Sequence, residues 1–170
     1  DLAYYNRGRS IPNVIVRNIN MSIDSVLFPV MSSRQDNKSE VKKITRRAIM
    51  SSNYLMAPLM MGMAAMANSI VMILLTEKWM PCVLYFRIFC IIFMFQPIHT
   101  ANINAIKAMG RSDLFFKVEI IKKVVGFLIL ALSLNYGMEV VIYCYFVNTI
   151  LDQIINSWPN RKLLEYTYLE

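Results

Sequence analysis

Four polar residues, Asn13, Arg17, Asn20 and Asp24, recur at steps of four, three and four inside an apolar stretch. On an α-helix that spacing sets them along one face. Val14, Ile15, Ile19, Met21, Val26 and Leu27 fill the remainder. Arg offers a planar fork of donors suited to phosphate or carboxylate. Asn both donates and accepts, as hydroxyl-rich groups require. Ionisable groups at membrane depth are costly and turn toward a bundle interior or a wet cavity. The stripe therefore points to a polar path through a helical membrane protein. The competing reading, an amphipathic helix of a soluble protein, is set against it by composition.

The 170 residues are 56% hydrophobic and 17% charged, with a mean hydropathy of +0.43. A soluble domain carries about 25% charge and about 45–50% apolar residues. The net charge of +7 raises nucleic acid as a partner, but Lys and Arg fall between apolar runs. They do not alternate with aromatics as a base-stacking surface would need. Cys82, Cys90 and Cys144 have no metal-ligand spacing, lie among apolar residues and are odd in number. They read as small hydrophobes, neither a disulfide framework nor a metal site. No cofactor is expected. The opening DLAYYNRGRS lacks a signal-peptide pattern, and the chain is expected to be a fragment of a longer reading frame.

A helix needs about 20 mainly apolar residues to span a bilayer. Five stretches qualify, at about 11–32, 48–75, 82–106, 114–134 and 139–158, within a single partial membrane domain over 1–170. Ser10 is the expected N-cap of the first, with Pro12 in its first turn. Residues 33–47 are too polar for lipid and read as a cytoplasmic loop, with a short surface helix through Asp36, Lys38, Glu40, Lys42 and Lys43 as the alternative. Pro58 is expected to kink the second span, which carries a small-residue edge of Gly62, Ala65 and Ser69. The third has an apolar first half, VLYFRIFCIIFMF, and a polar second half, QPIHTANINAIK, divided at Pro97. Such broken helices line cavities. Gln96, His99 and Asn104 lie below the break. Gly110 is the expected C-cap of that span, and Ser112 or Asp113 the N-cap of the fourth. Lys117, Glu119, Lys122 and Lys123 are expected to snorkel or pair. Asn148, Asp152 and Asn156 form a second stripe on the fifth span. Arg87 reads as a snorkelling or contact residue, and Asn53 and Asn68 as hydrogen bonds between helices.

Five spans put alternate loops on opposite sides. One side gathers Arg34, Lys38, Lys42, Lys43, Arg46, Arg47, Lys107, Arg111, Lys117, Lys122, Lys123, Arg161 and Lys162. The other holds Arg7, Arg9 and Lys78. Basic loops stay in the cytoplasm, so the first side is expected to be cytoplasmic and the protein multi-pass.

YYNRGRSIPNVI, SVLFPVMSSRQDN, LLTEKWMP and PIHTANINAIKAMGRSDLF, in that order, resemble bacterial flippases of the polysaccharide biosynthesis (lipopolysaccharide O-unit) family. That family lies within the multidrug/oligosaccharidyl-lipid/polysaccharide exporter superfamily. The resemblance covers nearly the whole chain. It implies an all-α integral membrane fold in which this chain is part of the C-terminal six-helix lobe of a two-lobe protein. It also implies a bacterial cytoplasmic (inner) membrane location and a lipid-linked oligosaccharide cargo carried on undecaprenyl diphosphate. The cargo would pass from the cytoplasmic to the outer face by alternating access between this lobe and a missing N-terminal one. The expected substrate cavity is Asn13, Arg17, Asn20 and Asp24 on one wall, with Gln96, His99 and Asn104 opposite. Arg17 would contact the pyrophosphate. Asp24 and Asp152 are the candidates for ion or proton coupling. The same residues allow a structural polar network instead. Two other functions stay open: a drug/cation antiporter of the superfamily, for which Asp24 and Asp152 speak, and a membrane enzyme of polysaccharide assembly. The chain has no D-x-D, H-E-x-x-H or C-x-x-C motif for the latter, and the reading is of a non-enzyme.

Overall fold

A computed structural model describes residues 2–133 and 136–164, without the side chains at 138, 139, 157 and 160–164. Among them the chain is helical, with no strand. The elements are α1 (Leu2–Ser32), α2 (Lys38–Ala65), α3 (Ala67–Leu75), a 3-10 turn (Glu77–Cys82), α4 (Val83–Met94), α5 (Gln96–Ala108), α6 (Ser112–Ser133) and α7 (Met138–Leu164). Part of the turn expected at 135–139 and the side chains of Arg161 and Lys162 lie outside the described residues.

α1 begins well before the expected cap. Ser10 does not cap; its hydroxyl donates to the Arg7 carbonyl at 3.2 Å, and Pro12 is buried inside the helix. Tertiary packing accounts for the extra turns. Tyr4 meets Trp79 edge-on at 5.7 Å, and Tyr5 meets Tyr85 at 5.9 Å and Phe89 at 5.2 Å. Edge-to-face pairs at such distances are favourable beyond the area they bury. Gly8 lets the helices close up, since a Cβ there would lie 2.7 Å from Tyr85 Cβ and 2.9 Å from the Cys82 oxygen.

The expected loop at 33–47 is mostly helix, because α2 starts at Lys38. Only residues 33–37 connect α1 to α2. Asn37 caps the new helix, its side-chain oxygen accepting from the Glu40 amide at 3.3 Å. Glu40 in the first turn suits the positive end of the helix dipole and accepts from Arg34 at 2.7 Å. Val41 and Thr45 turn inward, so this basic segment has one packed side and one solvated side.

α2 runs through Pro58 unbroken. Met56 and Met60 are buried on either side of the proline and hold those turns in place. The bend comes at Met66, where α3 departs from α2 by 71°. Gly62 has open space at its Cβ position, so it is not a point of close approach here. The expected break in the third stretch falls at Phe95, between α4 and α5, with Pro97 in the first turn of α5. Gly110, at φ +69°, ends α5. Its amide bonds the Lys107 oxygen and the Arg111 amide bonds the Ile106 oxygen, the paired closure of a Schellman cap. Arg111 supplies the first carbonyl of α6, accepting from Leu114 and Phe115. The N-cap position thus falls on Arg111, one residue before Ser112 and two before Asp113.

The α4–α5 column is central. α1 and α2 pack on both of its halves, α7 lies against α5, and α6 lies on α7. One apolar cluster joins Val16, Met56, Met60, Phe86, Phe89 and Ile142. A second, at the other end, joins Leu27, Met31, Val41, Ala101, Ala105 and Ile106. Outside, large apolar residues stay exposed on α1, α3, α6 and α7, among them Met21, Ile73, Phe127 and Leu132. Leu2–Ser32 and Glu77–Ala108 are each long and apolar enough to cross a membrane. The bent pair α2 and α3 makes a third if taken as one span. Lys117, Glu119, Lys122 and Lys123 lower the apolar content of α6, and α7 carries a shorter apolar stretch, Val140–Asn156.

Candidate functional site

Between the two apolar clusters lies a polar layer built from α1, α5, α6 and α7. Its first contact joins the predicted walls. Asn104 on α5, 5% exposed, donates through Nδ2 to Asp24 Oδ1 on α1 at 2.6 Å. A buried amide needs such a partner. Because one acceptor is a carboxylate, the bond is of the stronger, charge-assisted kind.

The rest of the predicted cavity divides. Asn20 is half-buried, and its side-chain oxygen has no hydrogen-bond partner. Asn13 and Arg17 are exposed, and Arg17 has no ion pair or side-chain hydrogen bond among the described residues. The stripe therefore flanks the packed side of α1, with its Asp24 end anchored and its Arg17 end open. Gln96 is half-buried at the start of α5. His99 turns away from α1: its Nδ1 accepts from Asn156 Nδ2 on α7.

α7 contributes more than the sequence suggests. Gln153 donates to the Phe95 carbonyl at 3.0 Å, an acceptor at the α4–α5 break. Asn156 is fully buried. Asn148 donates to Asp152 at 3.4 Å. On α6, Lys122 does not snorkel; it is 8% exposed and pairs with Glu119. Glu119 and Lys122 lie within electrostatic reach of both His99 and Asp152. Gln153 was missed because it falls outside the four-residue repeat of Asn148, Asp152 and Asn156. Of the two expectations for Lys122, snorkelling or pairing within the helix, the structure takes the pairing, with Glu119 one turn away.

Four oxygens on α7, from Asn148, Asp152, Gln153 and Asn156, are buried without a hydrogen-bond partner. Such groups are costly inside a protein. The layer has spare capacity for hydrogen bonds to hydroxyls or water. Among the described residues, no three His, Cys, Asp or Glu side chains group as metal ligands would. Arg87 reaches Asn68 on α3 at 3.5 Å, a contact between helices.

The polar stripe, the basic start of α2 and the α3 bend all fall in the first half of the chain. Residues 1–84 match the family model described as polysaccharide biosynthesis protein. That match supports a polysaccharide biosynthesis family for the matched segment. Over 162 residues it is 22% identical to the teichuronic acid biosynthesis protein TuaB of Bacillus subtilis (strain 168). That alignment takes in 92% of this chain and 33% of the relative. The chain thus spans about a third of the length of the curated relative it matches. No solved structure matches it.

Proposed function

We propose that this chain is part of a flippase that carries a lipid-linked oligosaccharide from the cytoplasmic to the outer face of a bacterial inner membrane. The cargo is an oligosaccharide on undecaprenyl diphosphate, and the rest of the same protein completes the cavity. The carrying observation is the α1 stripe: Asp24 is tied to Asn104 on α5, while Arg17 stands exposed beside apolar Val14 and Met21. A guanidinium among exposed apolar side chains on a helix fit to cross a membrane needs an anionic or aqueous partner. A pyrophosphate supplies the anion, and Arg holds it through paired hydrogen bonds. The unpartnered oxygens of Asn20 and α7 accept from sugar hydroxyls. Rocking of two lobes would expose the layer to each side in turn. The exposed apolar faces of α1, α6 and α7 then meet lipid or the other lobe.

The test replaces Arg17 by Ala and by Lys in the full-length protein and measures glycan export at matched expression. Arg17→Ala should reduce export by at least about tenfold, the scale of losing one charge-assisted pair. Arg17→Lys should retain part of it, since a point charge replaces a fork. Full export by both variants removes Arg17 from the mechanism.

A further inference from the structure

One face of α2 changes character along its length. Lys43, Arg47, Met50, Tyr54, Pro58 and Met61 recur at steps of three and four, so they stand above one another on the helix. All of them are exposed, and Tyr54 is left 85% exposed. Arg46, also exposed, widens the cationic end. The other side of the same turns is packed, with Val41, Thr45, Met56 and Met60 buried. The rest of the molecule therefore fixes this helix in place and leaves the face open.

The cations on it are not answered from within. Among the described residues, Lys43, Arg46 and Arg47 make no ion pair and no side-chain hydrogen bond. Two carboxylates at this end are taken by other arginines, Glu40 by Arg34 at 2.7 Å and Asp113 by Arg111 at 3.0 Å. Asp36 lies before the helix begins. α2 meets the end of α5 here through Val41, Ala105 and Ala108. Lys107 of α5 adds a further exposed charge and rests over the Phe115 ring at 4.7 Å.

The apolar part, from Met50 to Met61, rises about 17 Å along the helix. That is close to one leaflet of a hydrocarbon core about 30 Å thick. Tyr54 suits the boundary between headgroups and acyl chains. A soluble acidic partner would answer the cations and leave Met50, Tyr54 and Met61 in water. A ligand that is an anion at one end and hydrocarbon at the other covers the whole face. Resident anionic phospholipid and a diphosphate-linked polyprenyl cargo share that chemistry. α2 contributes nothing to the polar layer of α1, α5, α6 and α7, which favours the resident lipid.

We propose that this face of α2 binds a negatively charged glycerophospholipid, its phosphate held by Lys43, Arg46 and Arg47 and its acyl chains lying along Met50, Tyr54 and Met61. The proposal needs the chain to lie in a bilayer and is independent of the flippase reading. Each Lys or Arg near an anionic lipid surface strengthens binding by about fivefold.

The experiment measures retention of tritiated phosphatidylglycerol, phosphatidylcholine and undecaprenyl diphosphate by the immobilised full-length protein in neutral detergent. Phosphatidylglycerol should bind at least about tenfold more tightly than phosphatidylcholine. Lys43→Gln, Arg46→Gln and Arg47→Gln together should bring it down to the phosphatidylcholine level. Met50→Ser with Tyr54→Ser should weaken both phospholipids. Arg7→Gln, at the other end of the molecule, should leave the preference intact, which separates a local site from net charge. Circular dichroism checks the helix content of each variant. Should the triple variant unfold, the unaltered protein decides: in about 1 M salt, where the screening length falls to roughly 3 Å, the preference should vanish. Equal retention of the two phospholipids, or a preference that survives the triple variant or high salt, overturns the proposal. A triple variant that loses only undecaprenyl diphosphate also overturns it, by giving the face to the cargo.

Discussion

Lys122 and Glu119 show what a single residue contributes at the polar layer. The ammonium is 8% exposed and the carboxylate 30%, so removing one partner leaves the other partly desolvated. Lys122→Met should cost about 1–3 kcal/mol, below the full penalty for a deeply buried pair because Glu119 still reaches water. Adding Glu119→Gln should recover much of that loss, as measured by thermal unfolding in detergent; equal melting of single and double variants would show that the pair does not couple. A second residue-scale effect lies outside the spans. Arg111 donates to both Asp113 oxygens at 3.0 Å and holds the carboxyl down at about 2. A lowered carboxyl adds stability above its ordinary range and loses it as pH falls through about 2. Asp113 is exposed, so the effect is local to the start of α6. Carbon-detected NMR titration of Asp113 should show its midpoint moving up toward the ordinary aspartate value in Arg111→Gln; an unmoved midpoint would remove Arg111 as the cause.

Element by element, the helices follow from periodicity, but their ends follow from contacts. α1 extends back to Leu2 because Tyr4 and Tyr5 find aromatic partners, and local capping signals at Ser10 cannot compete with that packing. The two glycines that matter do so for different reasons. At Gly8 an added methyl meets the backbone of the 3-10 turn and α4, with Phe86 N at 2.9 Å. Gly8→Ala should therefore lose about 1–3 kcal/mol through overpacking. Gly110 has open space but a φ of +69°, so Gly110→Ala should lose roughly 1–2 kcal/mol from conformation alone. Denaturant unfolding of the two variants separates the causes. Trimming Tyr85 to Gly, which removes the Cβ in contact, should soften the Gly8→Ala effect and leave Gly110→Ala unchanged. The break at Met66 was not legible, because Pro58 is the stronger sequence signal and only the burial of Met56 and Met60 shows why it is overridden.

For the whole molecule, charge is sorted by end. Arg7 and the Lys78–Trp79 turn share one end, whereas the start of α2 shares the other with the α5–α6 connection through Val41, Ala105 and Ala108. If the chain crosses a bilayer as proposed, cysteines placed at Asp36 and Lys78, with the half-buried Cys144 replaced by Ser, should label from opposite compartments in intact cells. Labelling of both from one side would sink the orientation. The apolar composition, the stripe on α1, the helical stretches and the end-to-end sorting of Lys and Arg were all written in the order of residues, because helix periodicity and hydropathy are local properties. Which polar groups meet was not. Asn104 could have faced His99 or Asn156 as readily as Asp24, and only the packing of α5 between α1 and α7 chose. Burial of Lys122 beside Glu119, capture of the Phe95 carbonyl by Gln153, and the stranding of Arg17 outside the layer are likewise consequences of how helices rotate against one another. That rotation is decided by the sum of many apolar contacts distant in sequence, which no local spacing encodes.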